Sequence, residues 1–275
     1  MFTEVLKAIF LGIVEGVTEW LPVSSTGHML LADEFLTLNL SKEFKEMFFI
    51  VIQLGAILAV ILLFWKKMIP LDFSNGIKLK NQTLSLWFKV ALACVPGAVI
   101  TLLFDNFIES HLHTPAVIAS ALVFYGIAFI LVELKAENKT VKTQALEEIS
   151  YREALLIGLF QVLSIIPGTS RSGATIIGAL IIGVSRVAAA EFTFFLAVPV
   201  MLGLSFIKLL GFGFDFTAKE IAVLAAGSLT AFLVSLAVVK GLMNYVKRKD
   251  FKVFGYYRII LGAVILVYYS LWGNI

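Results

Sequence analysis

Between Glu15 and His28 the chain reads EGVTEWLPVSSTGH, and between Gln161 and Thr175 it reads QVLSIIPGTSRSGAT. Both stretches gather charged groups, hydroxyls and glycines in surroundings that are otherwise apolar. Glu15 and Glu19 stand four residues apart, so on a helix both carboxylates leave one face and can hold a divalent cation together. Hard carboxylate oxygens of this kind suit Mg2+ or Ca2+. Ser24, Ser25, Thr26, Gly27 and His28 follow Pro22 at the expected start of a second helix. Backbone N–H groups at a helix start attract phosphate oxygens, and glycine permits their close approach. In the second stretch Arg171 stands between Pro167 and an apolar helix, where a guanidinium needs an anionic partner that a phosphate can supply. Ser170, Ser172 and Thr175 can add hydrogen bonds, while Gly168 and Gly173 let the chain turn tightly. Each group also has an ordinary structural use. The carboxylates could cap backbone or pair with a buried cation, the serines could cap helices, and Arg171 could form an internal ion pair with Glu15 or Glu19.

The two stretches are related. A gapless shift of 146 residues carries Glu15 onto Gln161, Ser24 onto Ser170, Ser25 onto Arg171, Thr26 onto Ser172 and Gly27 onto Gly173. The same shift aligns Ala8 with Ala154 and Gly12 with Gly158, so the repeat reaches upstream of the polar residues. The expectation is that both stretches meet and form one site.

The elements that must carry them belong to a membrane protein. Of 275 residues, 60% are hydrophobic and only 15% charged, and the mean hydropathy is +0.96, outside the range of soluble domains. The net charge of +3 is small and confined to a few loops, which argues against nucleic acid as a partner. The lone Cys94 lies in an apolar run and is read as a packing residue, with no intrachain disulfide available to it. The N-terminal run lacks the basic start and small-residue cleavage site of a signal peptide.

Periodicity predicts an all-α polytopic chain built from two comparable halves. Residues 5–21 and 26–38 form two short apolar segments broken at Pro22, and residues 152–166 and the run to about Val184 form two more, broken at Pro167. Each is too short to span a ~30 Å hydrocarbon core, so each pair reads as a re-entrant hairpin. Three spans follow each hairpin, at 46–65, 86–104 and 115–134, then at 190–208, 219–240 and 254–272. The first repeat therefore covers 1–134 and the second 152–275 of a single membrane domain, with the charged stretch 135–151 as a cytoplasmic connection. An odd number of crossings per half implies an inverted-topology repeat with its site near the pseudo-two-fold axis.

Basic residues support this arrangement. Lys66, Lys67, Lys78, Lys80 and Lys89, then Lys135, Lys139, Lys142 and Arg152, then Lys240, Lys247, Arg248, Lys249 and Lys252 all fall on one side of it. The loops Asp105–His113 and Gly211–Glu220 fall on the other with few basic residues. By the positive-inside rule both termini lie outside the cytoplasm. Gln53, Glu133, Arg186, Glu191 and Arg258, further polar groups within apolar runs, are secondary candidates, read first as packing or interfacial groups.

EGVTEWLPVSSTGH together with PGTSRSGAT resembles the bacterial undecaprenyl-diphosphate phosphatases of the bacitracin-resistance type. The resemblance covers essentially the whole chain, including VIQLGAILAV at 51–60 and EFTFFLAVPVMLG at 191–203. It implies an integral enzyme of the bacterial cytoplasmic membrane that hydrolyses a C55 prenyl diphosphate to its monophosphate. Such an enzyme recycles a lipid carrier for peptidoglycan synthesis, lowers bacitracin sensitivity and depends on a divalent metal. It also implies that Glu15 and Glu19 form the acidic motif, Ser25 and His28 the hydroxyl and histidine positions, and Ser170, Arg171 and Thr175 the phosphate-binding motif. Within that reading the nucleophile is Ser25, with Glu19 or His28 as base, or else a water oriented by His28. An apolar groove between helices would hold the prenyl tail, reached from the outer leaflet, and a homodimer is compatible with all of this.

Two other readings compete. Inverted repeats and broken helices with charged midplane residues also characterise secondary transporters. SSTGH and GTSRSG faintly resemble motifs of the other lipid phosphatase superfamily, but its basic first motif and second histidine have no counterpart here, since His111 and His113 lie in the mid-chain loop.

Overall fold

The structure, a computed structural model, describes residues 1–72, 78–136 and 140–272, apart from the side chains of 105–110 and 272. Eleven α-helices occur among the described residues: α1 (Phe2–Thr18), α2 (Ser25–Leu36), α3 (Lys42–Val51), α4 (Gln53–Met68), α5 (Asn81–Leu112), α6 (Pro115–Ala136), α7 (Tyr151–Val162), α8 (Arg171–Ile182), α9 (Arg186–Phe212), α10 (Ala218–Val246) and α11 (Lys252–Trp272). Six helical segments are long and apolar enough to cross a membrane, 42–68, 81–104 and 115–136 in one half and 186–212, 218–246 and 252–271 in the other. The chain is an all-α polytopic membrane protein. Leucines on the flanks of these helices face outward, Leu102 with 82% of its surface exposed, as a lipid-facing surface requires.

Two details differ from the sequence reading. The segment 105–112 continues helix α5, so the link to α6 shrinks to His113 and Thr114. The first span is broken at Ile52 into α3 and α4, whereas its partner α9 runs unbroken through Pro199. Shifting Gln53 by 146 lands on Pro199, so both halves interrupt the regular ladder at the same place, one by a turn and one by a missing donor. Lys139 of the basic connection lies outside the described residues.

Helix starts are chemically marked. Ser150 and Glu153 form a capping box on α7, and Thr217 and Glu220 form one on α10; each satisfies two donors that a helix start leaves open. Burial would raise the Glu153 carboxyl, but hydrogen bonds from Thr143 and Ser150 outweigh it and hold the group below its ordinary value.

The halves interleave. Helix α1 packs along α10, α7 along α5, and α6 along α11. Small residues permit the close approach, as is usual where helices associate in lipid. A Cβ on Gly12 would lie 2.5 Å from the Gly227 carbonyl oxygen of α10, and one on Gly158 would strike Ala93 of α5. These two glycines coincide under the 146-residue shift, and each lets its helix approach a neighbour's backbone.

Polar contacts sort the element ends into two groups. Lys7 donates to the Thr37 carbonyl at 2.7 Å, Asn39 N–H to Glu4, Lys219 to the Asn39 carbonyl, and Tyr268 and Tyr269 to Glu34. These join the open end of the α1–α2 hairpin to the start of α10 and the end of α11. Elsewhere Lys67 binds Glu191, Arg186 binds Glu133, Phe251 N–H donates to Glu133 and Lys89 donates to the Glu147 carbonyl. These gather the end of α4, the 140–151 connection and the starts of α9 and α11, beside the open end of the α7–α8 hairpin, where Ser185 N–H donates to the Thr143 carbonyl.

Candidate functional site

The closed ends of the two hairpins touch. Arg171, first residue of α8, donates from Nη2 to Glu19 Oε1 at 2.8 Å, and both side chains are about nine-tenths shielded. Ser172 Oγ reaches the Glu19 and Leu21 carbonyls at 3.3 and 3.4 Å. Residues 152 positions apart thus form one polar cluster, and the internal ion pair weighed from sequence is present.

Local backbone explains how the side chains are aimed. Ser24 and Ser170 precede α2 and α8, and both hold φ at +70°, a conformation that non-glycine residues rarely adopt and that costs on the order of 1–3 kcal/mol. They are a repeat pair, but their hydroxyls differ in use. Ser170 Oγ accepts from Gly173 N–H at 3.1 Å and so caps α8. Ser24 Oγ caps nothing, is buried and has no partner.

Glu19 is shared. Its Oε2 accepts the Ser25 hydroxyl at 2.7 Å while Oε1 takes Arg171, so one carboxylate both orients a hydroxyl and holds a cation. Glu15 lies one helical turn back with 1% of its surface exposed, and its Oε1 has no partner. Arg171 Nη1 is likewise buried without a partner. Such unsatisfied groups are costly in a closed interior and point to a ligand that completes them. Among the described residues no three histidine, cysteine or acidic side chains converge as a metal set; the carboxylates at this turn are those of Glu15 and Glu19. That donor set fits a hard, partly hydrated cation whose remaining ligands come from phosphate and water.

His28 is held at both ring nitrogens. Nδ1 lies 2.8 Å from the Ser24 carbonyl, which can only accept, so Nδ1 carries the proton; Nε2 lies 2.7 Å from the Tyr257 hydroxyl. The Tyr257 ring stacks on the imidazole, 5.6 Å between centroids and 5° from parallel. Thr175 is fully buried and serves the helix, donating to the Arg171 carbonyl at 3.0 Å and pairing with Thr193 at 2.8 Å. Thr26 is exposed. Gly27 packs α2 on Leu122, and Gly168, at φ +91°, packs the second turn on the Ile118 backbone; both neighbours belong to α6.

Three participants escaped sequence reasoning. Trp20 is fully buried and fixes the first turn against Phe194 of α9, edge to face at 5.5 Å. Tyr257 sits among aromatic residues of α11 with nothing local to single it out. Arg258 was visible as a charge in an apolar run but read as packing; it donates to the Pro22, Gly168 and Thr169 carbonyls. The other polar residues noted in apolar runs lie elsewhere, Glu133 pairing with Arg186 and Glu191 with Lys67. Two cavities among the described residues, about 410 Å3 beside Arg186 and about 550 Å3 between α4 and α10, contain none of the site residues.

The family described as Bacitracin resistance protein BacA matches residues 8–264. An Enterococcus faecalis protein named undecaprenyl-diphosphatase is 64% identical over 97% of both chains. Proteins of the same name from Lachnoclostridium phytofermentans and Desulfitobacterium hafniense are 57% and 54% identical, with 98% and 97% of this chain and 98% and 96% of theirs aligned. Matched nearly end to end, the chain belongs to the BacA family of bacitracin resistance proteins.

Proposed function

We propose that this protein hydrolyses undecaprenyl diphosphate to undecaprenyl phosphate and inorganic phosphate, recycling the lipid carrier of peptidoglycan synthesis and lowering sensitivity to bacitracin. The observation that carries the reading is the shared use of Glu19, with the Ser25 hydroxyl on one oxygen and the Arg171 guanidinium on the other.

Ser25 is the nucleophile. Its Oγ attacks the terminal phosphorus, its proton passes to Glu19 Oε2 and from there to the bridging oxygen as the bond between that oxygen and the phosphorus breaks, releasing the prenyl monophosphate. Glu19, again a carboxylate, takes a proton from the water that attacks the phosphoserine and returns it to Ser25 Oγ as inorganic phosphate leaves. Glu19 is favoured over His28 as base because the Ser25 hydroxyl already donates to it, whereas the ring nitrogens of His28 meet the Ser24 carbonyl and the Tyr257 hydroxyl. His28 instead orders the Ser24–Ser25 turn. Arg171 turns its unpartnered Nη1 to the phosphate oxygens and neutralises charge as the bond breaks. Ser24 Oγ and the N–H groups at the start of α2 add donors. Gly27 seats α2, while Ser170, Gly173 and Thr175 shape the start of α8 on the other side of the site.

Glu15 and Glu19 would hold a Mg2+ or Ca2+ ion, which when bound supplies charge neutralisation to the diphosphate. The tail extends along apolar helix surfaces, for which the groove between Leu54 and Leu58 of α4 and Leu224 and Phe232 of α10 is suited. The hairpins open toward opposite groups of element ends, which supports an inverted repeat. The basic loops mark the cytoplasmic side, with the termini and the mouth of the site on the other.

Purified protein in detergent should release inorganic phosphate from a prenyl diphosphate when Mg2+ or Ca2+ is present. Glu19→Gln and Arg171→Ala should each lose most of that activity. Absence of release from the unaltered protein under any metal condition would sink the proposal.

A further inference from the structure

Arg258 of α11 has none of its surface exposed. Among the described residues its hydrogen bonds reach backbone carbonyls only: Nη1 donates to Pro22 at 3.2 Å, and Nη2 to Gly168 at 2.9 Å and Thr169 at 2.6 Å. Pro22 belongs to the turn of the first hairpin, and Gly168 and Thr169 to the turn of the second. The guanidinium carbon lies 5.9 Å from the ring centres of both Tyr125 and Phe129 of α6. The fit is close, because a Cβ on Gly173 would come within 2.8 Å of Nη1.

A guanidinium buried without a carboxylate is expensive, so its use has to lie in what it joins. The carbonyls it takes are ones that helix ends and turns leave open, and at membrane depth no water is at hand to satisfy them. A planar fork also fixes the directions of its bonds, which a flexible ammonium does not. We propose that Arg258 is a positioning residue that pins the two hairpin turns to each other and so sets the encounter of Glu19 with Arg171. It touches neither substrate nor the reacting groups. Its influence runs through the two turns, and the kinetic part of its test rests on the phosphatase reading above.

Arg258→Lys keeps the charge and loses the fork. The variant should purify as folded protein with kcat lowered about a hundredfold, the scale of an ångström-sized misplacement, and with KM within about threefold. Because Arg258 acts through the same encounter as Arg171, the losses should not multiply. The double variant with Arg171→Ala should turn over within about threefold of Arg171→Ala alone. Phe129→Leu, which loosens one ring beside the guanidinium, should give a smaller loss of the same kind. Spin labels on cysteines at Thr26 and Leu163, in a Cys94→Ser background, should report one narrow distance that broadens in Arg258→Lys. Fully multiplicative losses, wild-type kcat in folded Arg258→Lys, or an unchanged distance distribution each overturn the proposal. If Arg258→Lys does not fold, Phe129→Leu decides the matter, and failure of both to fold assigns the residue to stability alone and rejects the proposal. An unaltered protein without phosphatase activity defeats the functional reading, while the distance measurement still judges the positioning role.

Discussion

Replacing Ser25 by alanine removes one hydroxyl and leaves the Arg171–Glu19 ion pair in place. The structure ties that hydroxyl to Glu19 Oε2 at 2.7 Å. If its task were only to orient the carboxylate, its loss would cost one charge-assisted hydrogen bond, about 1.5–3 kcal/mol, or roughly 10- to 150-fold in rate. Loss of a nucleophile is of another order, since enzymes so altered fall by about 10^6 and keep only what positioning and electrostatics supply. Ser25→Ala should therefore reduce kcat by at least about 10^4, near 5.4 kcal/mol. KM should stay within about threefold, because the binding proposed for Arg171 and a metal does not involve the deleted hydroxyl. The measurement is phosphate release at saturating Mg2+, with acid quench of the unaltered enzyme after terminally labelled substrate to trap an acid-stable phosphoserine. A loss under about 150-fold in folded Ser25→Ala, with no labelled protein in the unaltered enzyme, would place the attack on water and refute the assignment.

Chelation should abolish activity, and Mg2+ or Ca2+ should restore it; Glu15→Gln should raise the metal concentration for half-maximal rate by at least about tenfold, since it removes one of the two proposed anionic ligands. Equal metal requirements in the variant and the parent would remove Glu15 from the metal site. Tyr257→Phe deletes the hydroxyl on His28 Nε2 but keeps the stacked ring, so kcat should fall about 2- to 12-fold, the worth of one ordinary hydrogen bond. Gly168→Ala places a Cβ against the Ile118 carbonyl at a φ of +91°, and melting in detergent should show about 1–3 kcal/mol of lost stability together with lower kcat. A melt identical to the parent would show that the turn relaxes around the added methyl.

The hairpins and spans were legible because apolar periodicity and the two prolines report local chemistry. Segment 105–112 was misjudged as a loop because polar residues at a helix end look the same as a connection until the helix is seen to continue. At the site, spacing placed Glu15 and Glu19 on one helical face, and charge beside an apolar helix marked Arg171, while the choice of Ser25 and His28 within the hydroxyl run rested on the family resemblance. Thr175 shows the limit of that method, since its hydroxyl type suits a phosphate but its rotamer and burial commit it to Thr193 and the Arg171 carbonyl.

By itself the sequence determined the apolar membrane helices, the two polar turns and the residue types gathered in them, because each is encoded within a few positions of chain. Tertiary structure alone decided that Glu19 is the residue both turns share, that His28 is held by Tyr257, and that Arg258 joins Pro22 to Gly168 and Thr169. Such pairings, 152, 229 and 236 positions apart for Glu19–Arg171, His28–Tyr257 and Pro22–Arg258, follow from how helices pack in three dimensions. No local pattern of residues carries that information.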